Sequence, residues 1–170
     1  MRGLYTDLRI RTTKVQGDLA CEKLFKSNFS INYVNVYRGL IVSRKNVTYN
    51  QPLEREIGFS RAVRIGNIIA VTGTAPIAKD GSVHSPGDMY GQARRCLEII
   101  KDVIEQAGGK LENVIRTRIF LKDMEKWREA ARAHGEYFAK IQPACTLVEV
   151  SGFVNSEWLI EIEADAVLDK

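Results

Sequence analysis

A row of carboxylates, a thiol and a pair of arginines are the side chains of this sequence whose types and spacing could do chemistry. Glu161, Glu163 and Asp165 alternate along residues 159–168 and share one face of a predicted strand. A carboxyl in such a row can move protons to and from a substrate. It can equally form cross-strand ion pairs with Arg116 and Arg118 of the β-rich run 114–121. Cys145 and Thr146 open another β-prone run, residues 145–150. A thiol becomes a nucleophile only with a lowered pKa or an adjacent base, and the two histidines supply neither: His84 falls in a loop and His134 on an apolar helix face. Cys145 therefore reads as a small, half-buried thiol, oxidisable where a cleft admits peroxide. Arg61 and Arg64 stand at either end of a short strand that follows Phe59. The cysteines and histidines lack metal-ligand spacing and no phosphate-binding glycine motif occurs, so neither a metal nor a cofactor is expected.

The elements that must position these groups lie in one part of the chain. With 170 residues, 45% hydrophobic and 27% charged, the chain suits one globular domain. The net charge of +4 is concentrated at the start. Residues 1–45 hold nine of the 25 Lys/Arg and three of the 21 Asp/Glu, which leaves 16 basic against 18 acidic residues in 46–170. A slightly acidic domain does not track phosphates, so nucleic acid is not an expected partner. Cys21, Cys96 and Cys145 are odd in number and widely spaced, which suits a reducing, cytoplasmic setting. No apolar run reaches the ~18 residues a membrane span needs. Residues 1–45 read as a basic extension, either a targeting segment, an artefact of the start site or a functional arm, and residues 46–170 as the domain.

From residue 46 the patterning predicts strands at 46–49, 61–64 and 69–72, then a loop over 78–87. Asp88 is placed to cap a long helix whose Met89, Ala93, Cys96, Leu97, Ile100, Val103, Ile104 and Ala107 form one stripe, ended by Gly108-Gly109. Residues 114–121 form a strand with Ile115, Thr117, Ile119 and Leu121 toward the core. Asp123 caps a second helix with Trp127, Ala130, Ala131, His134, Phe138 and Ile141 on one face, closed by Pro143. Strands at 145–150 and 159–168 complete a β-β-β-α-β-α-β-β order. That order predicts an α+β sandwich, a mixed sheet with both helices on one face. Phe120, Leu147 and Leu159 are expected on the other face, an apolar patch that calls for an interface.

Three segments carry a resemblance: Gly58-Phe59-Ser60-Arg61-Ala62-Val63-Arg64-Ile65-Gly66-Asn67 with Val71-Thr72-Gly73, the long helix from Gln92-Ala93 to Gly108-Gly109 and Val114, and Pro143-Ala144-Cys145-Thr146-Leu147-Val148-Glu149-Val150 with Ile160-Glu161-Ile162-Glu163-Ala164. Together they resemble the RidA (YjgF-type, reactive intermediate deaminase) family over residues 54–168 or so, in the expected order. The resemblance implies a chorismate-mutase-like fold, a homotrimer and small-molecule clefts between neighbouring subunits. There the deaminating members hydrolyse imines and enamines such as 2-aminoacrylate to a keto acid and ammonia. It also implies that Glu161 orients the attacking water and exchanges protons, and that Thr146 offers a hydroxyl or its N–H to a ligand. Phe59 matches, across a one-residue gap, an aromatic that is usually tyrosine. Cys145 stands where deaminating members carry the arginine that grips the substrate carboxylate. A thiol cannot form that fork, so 2-imino acids are poor expected substrates unless Arg61 or Arg64 supplies the cation. The alternative is a non-catalytic metabolite-binding, redox-sensing or chaperone-like trimer; RNA cleavage, attached to some members, fits the acidic domain least.

Overall fold

The computed structural model describes residues 43–169. Its strands are β1 (Arg44–Val47), β2 (Ala62–Ile65), β3 (Ile68–Thr74), β4 (Val114–Leu121), β5 (Ala144–Glu149) and β6 (Ile160–Val167). They form one sheet in the order β1-β2-β3-β6-β4-β5. All neighbouring pairs are antiparallel except β4 with β5. The long helices α2 (Met89–Gln106) and α3 (Trp127–Phe138) bury their apolar stripes in a common core with the sheet. This is the α+β architecture the patterning predicts. The extension lies outside the described residues apart from its last few: Arg44 and Lys45 are already in β1, opposite Ile65 and Arg64.

One element escapes the sequence pattern. A short helix, α1 (Pro52–Ile57), joins β1 to β2, with proline opening it and Gly58 at φ +83° ending it. Six residues are too few to show a helical period. Its Glu54 is buried and accepts bonds from the Thr48 hydroxyl and the Tyr49 N–H, which ties α1 to the end of β1.

In α2 every residue of the expected stripe is fully buried. Asp88 occupies the N-cap, but its side chain makes no cap bond; its carbonyl accepts from the Gln92 N–H at 2.9 Å. Gln92 itself is buried. It donates to the Glu157 carbonyl at 3.0 Å and accepts from the Leu159 N–H at 2.8 Å, fixing the approach to β6. Gln92→Met should lower stability by roughly 1–3 kcal/mol, because both backbone groups lose their partner in a dry setting. Urea unfolding would show this as a shifted midpoint with an unchanged slope; an unmoved midpoint would mean that water replaces both bonds.

Three expectations need correction. Ile115 is 54% exposed, because a register shift between Val114 and Arg116 turns Val114 inward instead. On α3 the buried alanines are Ala130 and Ala133 and not Ala131, and Trp127 stays partly exposed beneath Arg128. Leu147 pairs with Ile119, so it shares the helix-facing side of the sheet, and Leu147 and Leu159 both pack against the core. The open face instead carries exposed Val148 beside Phe120 and, at the other end of the sheet, exposed Ile65 and Ile68.

Candidate active site

The open face separates Glu161 from the other acids of its row. Arg118 reaches Glu163 at 3.3 Å and Asp165 at 3.1 Å and holds both. Glu161 lies opposite Phe120, so no cation faces it across the pair of strands. Among the described residues its carboxylate takes part in no salt bridge or side-chain hydrogen bond. Burial pushes its pKa above the ordinary carboxylate value; the charge of Arg61 opposes that rise and Glu163 adds to it. A partly desolvated carboxyl with an unclamped head is suited to carry a proton.

The other candidate site residues are spread over the chain. Arg61 sits at the bend before β2, only 8% exposed, close enough to Glu161 to influence its ionisation. Phe59 is partly buried just after α1, and its N–H donates to the Glu54 carbonyl at 3.0 Å. Arg64 is occupied elsewhere, holding the carbonyls of Gly66 and Ala107 at the end of α2. Cys145 and Thr146 are exposed on the edge strand β5. Cys145 pairs with Thr117, which pairs with Ala164, three residues along β6 from Glu161. That places Cys145 roughly 10 Å along and roughly 10 Å across the sheet from Glu161, and on its opposite face. Within one chain a small ligand cannot touch both. His134 is no base for Cys145 either: burial holds its pKa down and its Nε2 lies 2.9 Å from the Thr117 hydroxyl.

Gly73 brings no side chain to the site, but a glycine inside a strand pattern signals a bulge or a close approach. The β3–β6 register shifts between Val71 and Thr74, and a Cβ at Gly73 would lie 2.9 Å from Glu161 Oε2. The missing side chain makes room for the carboxylate. Gly73→Ala should leave the fold intact, since the displaced atom is the end of a flexible side chain. Any turnover that depends on Glu161 should fall roughly tenfold to a hundredfold through the misplaced carboxyl. Melting temperature and kcat, measured together, separate the two effects.

A mixed six-stranded sheet with two long helices on one face, and an unpaired glutamate in the acidic row of the other, defines an α+β protein of the chorismate-mutase-like class. Comparisons with known proteins narrow this. The family model Endoribonuclease L-PSP matches residues 50–168. A RutC family protein of Pyrococcus abyssi is 35% identical over 123 residues, covering 72% of this chain and 96% of that protein. The 3-aminoacrylate deaminase RutC of Acinetobacter baylyi is 36% identical over 105 residues, 62% of this chain and 82% of its own length. Among solved structures, a YjgF/YER057c/UK114 family member from Mycobacterium tuberculosis superposes with a TM-score of 0.68 at 39% identity, covering 74% of this chain and 100% of that one. The chain belongs to the RidA (YjgF/RutC) family. No described helix is long and apolar enough to cross a membrane.

Proposed function

We propose that the protein hydrolyses a small imine, or an enamine through its imine tautomer, to a carbonyl compound and ammonia. Glu161 is the acid–base group, in a cleft that a neighbouring protomer completes. The observation that carries this reading is that Glu161 alone in its row lacks a cation partner while burial raises its pKa.

The protonated Glu161 carboxyl gives its proton to the imine nitrogen, and water adds to the resulting iminium carbon as the carboxylate takes a proton from it. The carbinolamine nitrogen then receives that proton. The C–N bond breaks, ammonia leaves, and the hydroxyl proton returns to Glu161 as the carbonyl forms. Imine and water are thereby converted to carbonyl and ammonia with the glutamate restored.

The neighbouring protomer enters for two reasons. Cys145 and Glu161 lie on opposite faces of one sheet, so only two chains can bring them to one ligand. The open face also exposes Ile65 and Ile68 at one end and Val148 at the other, apolar side chains that a second copy could cover, and the family resemblance supports a homotrimer. With Cys145 in place of a guanidinium, the preferred substrate lacks a carboxylate or binds it weakly. The relative named 3-aminoacrylate deaminase supports enamine chemistry. RNA cleavage, in the family model's description, has less support because residues 46–170 carry more acids than bases.

The test is ammonia release from imines generated in situ, 2-aminoacrylate-derived and carboxylate-free, by the wild type and Glu161→Gln. Faster release from the carboxylate-free imine, lost in the variant, is expected. Equal rates for the two proteins would remove Glu161 from the chemistry, and a wild-type rate no faster than buffer would leave a binding protein.

A further inference from the structure

Arg61 is the one described residue with a buried side-chain nitrogen that lacks a partner: its Nε is enclosed and unbonded. An unpaired guanidinium at 8% exposure is costly to keep. It lines a groove of about 590 Å³ between residues 49–54, the outer side of α2 and residues 77–81. Glu161 is not part of that lining.

The acids of this groove bond to groups other than Arg61, although the Glu54 charge acts on it from nearby, and the lining balances its three acids with Arg61, Arg95 and Lys79. Glu54 accepts from Thr48 and Tyr49, Asp102 accepts from the Tyr49 hydroxyl and from Gln106, and Glu98 pairs with Arg95 at 3.3 Å. Arg95 also donates to the Ile77 carbonyl at 2.8 Å, fixing the loop that forms one wall. The guanidinium of Arg61 sits 5.7 Å from the centre of the Tyr49 ring, which helps hold its plane. Besides exposed Lys79, the groove offers the buried Arg61 as a donor of charged hydrogen bonds and the apolar surfaces of Pro52, Leu53, Ile77 and Ile99. A guanidinium pairs best with a planar carboxylate or a phosphate.

We propose that this groove is a second binding site, taking a small organic anion whose carboxylate or phosphate meets Arg61 and whose apolar body lies along the Leu53–Ile99 side. The site is separate in place from Glu161, although the Arg61 charge acts on both.

Calorimetric titration of the full chain with phenylacetate, phenyl phosphate and benzyl alcohol tests it. Saturable binding of one or both anions, with the neutral alcohol inert, is expected, and the stronger anion identifies the head group. Arg61→Gln should weaken binding by roughly tenfold or more, as loss of charge-assisted bonds does. Leu53→Trp, on the exposed side of α1, should block the groove with the arginine intact, and so carries the test if Arg61→Gln does not fold. Glu161→Gln should bind as wild type does. The proposal is overturned if neither anion binds, if the alcohol binds equally, if neither groove variant weakens binding, or if Glu161→Gln abolishes it, which would put the anion at the other site.

Discussion

Glu161→Gln is expected to lower turnover by roughly 10²–10⁴, the range that removal of a positioned acid–base group produces, while the protein becomes slightly more stable at neutral pH. Both effects follow from one cause. The folded environment raises the Glu161 pKa, through burial first, against the opposing charge of Arg61 and with help from Glu163. For a carboxyl shifted upward, the folded state binds the proton more tightly than the unfolded chain does. Ionisation therefore destabilises the fold as pH rises from the unfolded pKa through the folded one, and below the unfolded value of about 4.5 the penalty is absent. Glutamine never ionises. The melting temperatures of wild type and variant should coincide in acid and separate as pH rises toward neutrality. The gap should be small, roughly a degree or two, because the group is partly exposed and solvent screens it. In the wild type, kcat/KM should fall with rising pH above the Glu161 pKa, where the protonated acid is depleted. Arg61→Gln removes the charge that holds this pKa down, so the falling limb should move to higher pH. A stabilised Glu161→Gln that keeps full turnover would leave this half-buried acid a structural residue only.

Long, regular elements were legible and short or long-range features were not. The α2 stripe follows from residues three and four apart on one helix, and β6 alternates strictly because one of its faces is core. Nothing comparable marks β5. As the edge strand it is exposed along most of its length, so its alternation is weak and the side chain of Leu147 was expected on the wrong face. Helix α1 is a single turn and a half, written in a proline and a glycine and not in a period. The candidate site splits the same way. Glu161 stands out by residue type and position, but its freedom from Arg118 depends on the β4–β6 register, which places Phe120 opposite it and the arginine between Glu163 and Asp165. The burial of Arg61 is set by Tyr49, Glu54 and α2, contacts between segments far apart in the chain.

Cys145→Arg should lower KM for a 2-imino acid on the order of tenfold to several hundredfold and leave kcat nearly unchanged. A guanidinium at this position offers two parallel charged hydrogen bonds to a carboxylate, at roughly 1.5–3 kcal/mol apiece, and those bonds form equally in ground and transition states. The fold should tolerate the change because Cys145 is exposed on the outermost strand, beside Thr117 and away from the packed core. A carboxylate-free imine supplies the contrast: its KM has no reason to move. The pattern also tests the assembly. Since the sheet holds residue 145 far from Glu161 in its own chain, an arginine there can help only the acid of another protomer. Mixing Cys145→Arg chains, made inactive by Glu161→Gln in the same chain, with otherwise wild-type chains should then restore low-KM turnover in the hybrids of the proposed assembly. If the hybrids show only the wild-type KM while pure Cys145→Arg shows the improvement, the arginine reaches a site within its own chain and the cleft does not lie between protomers.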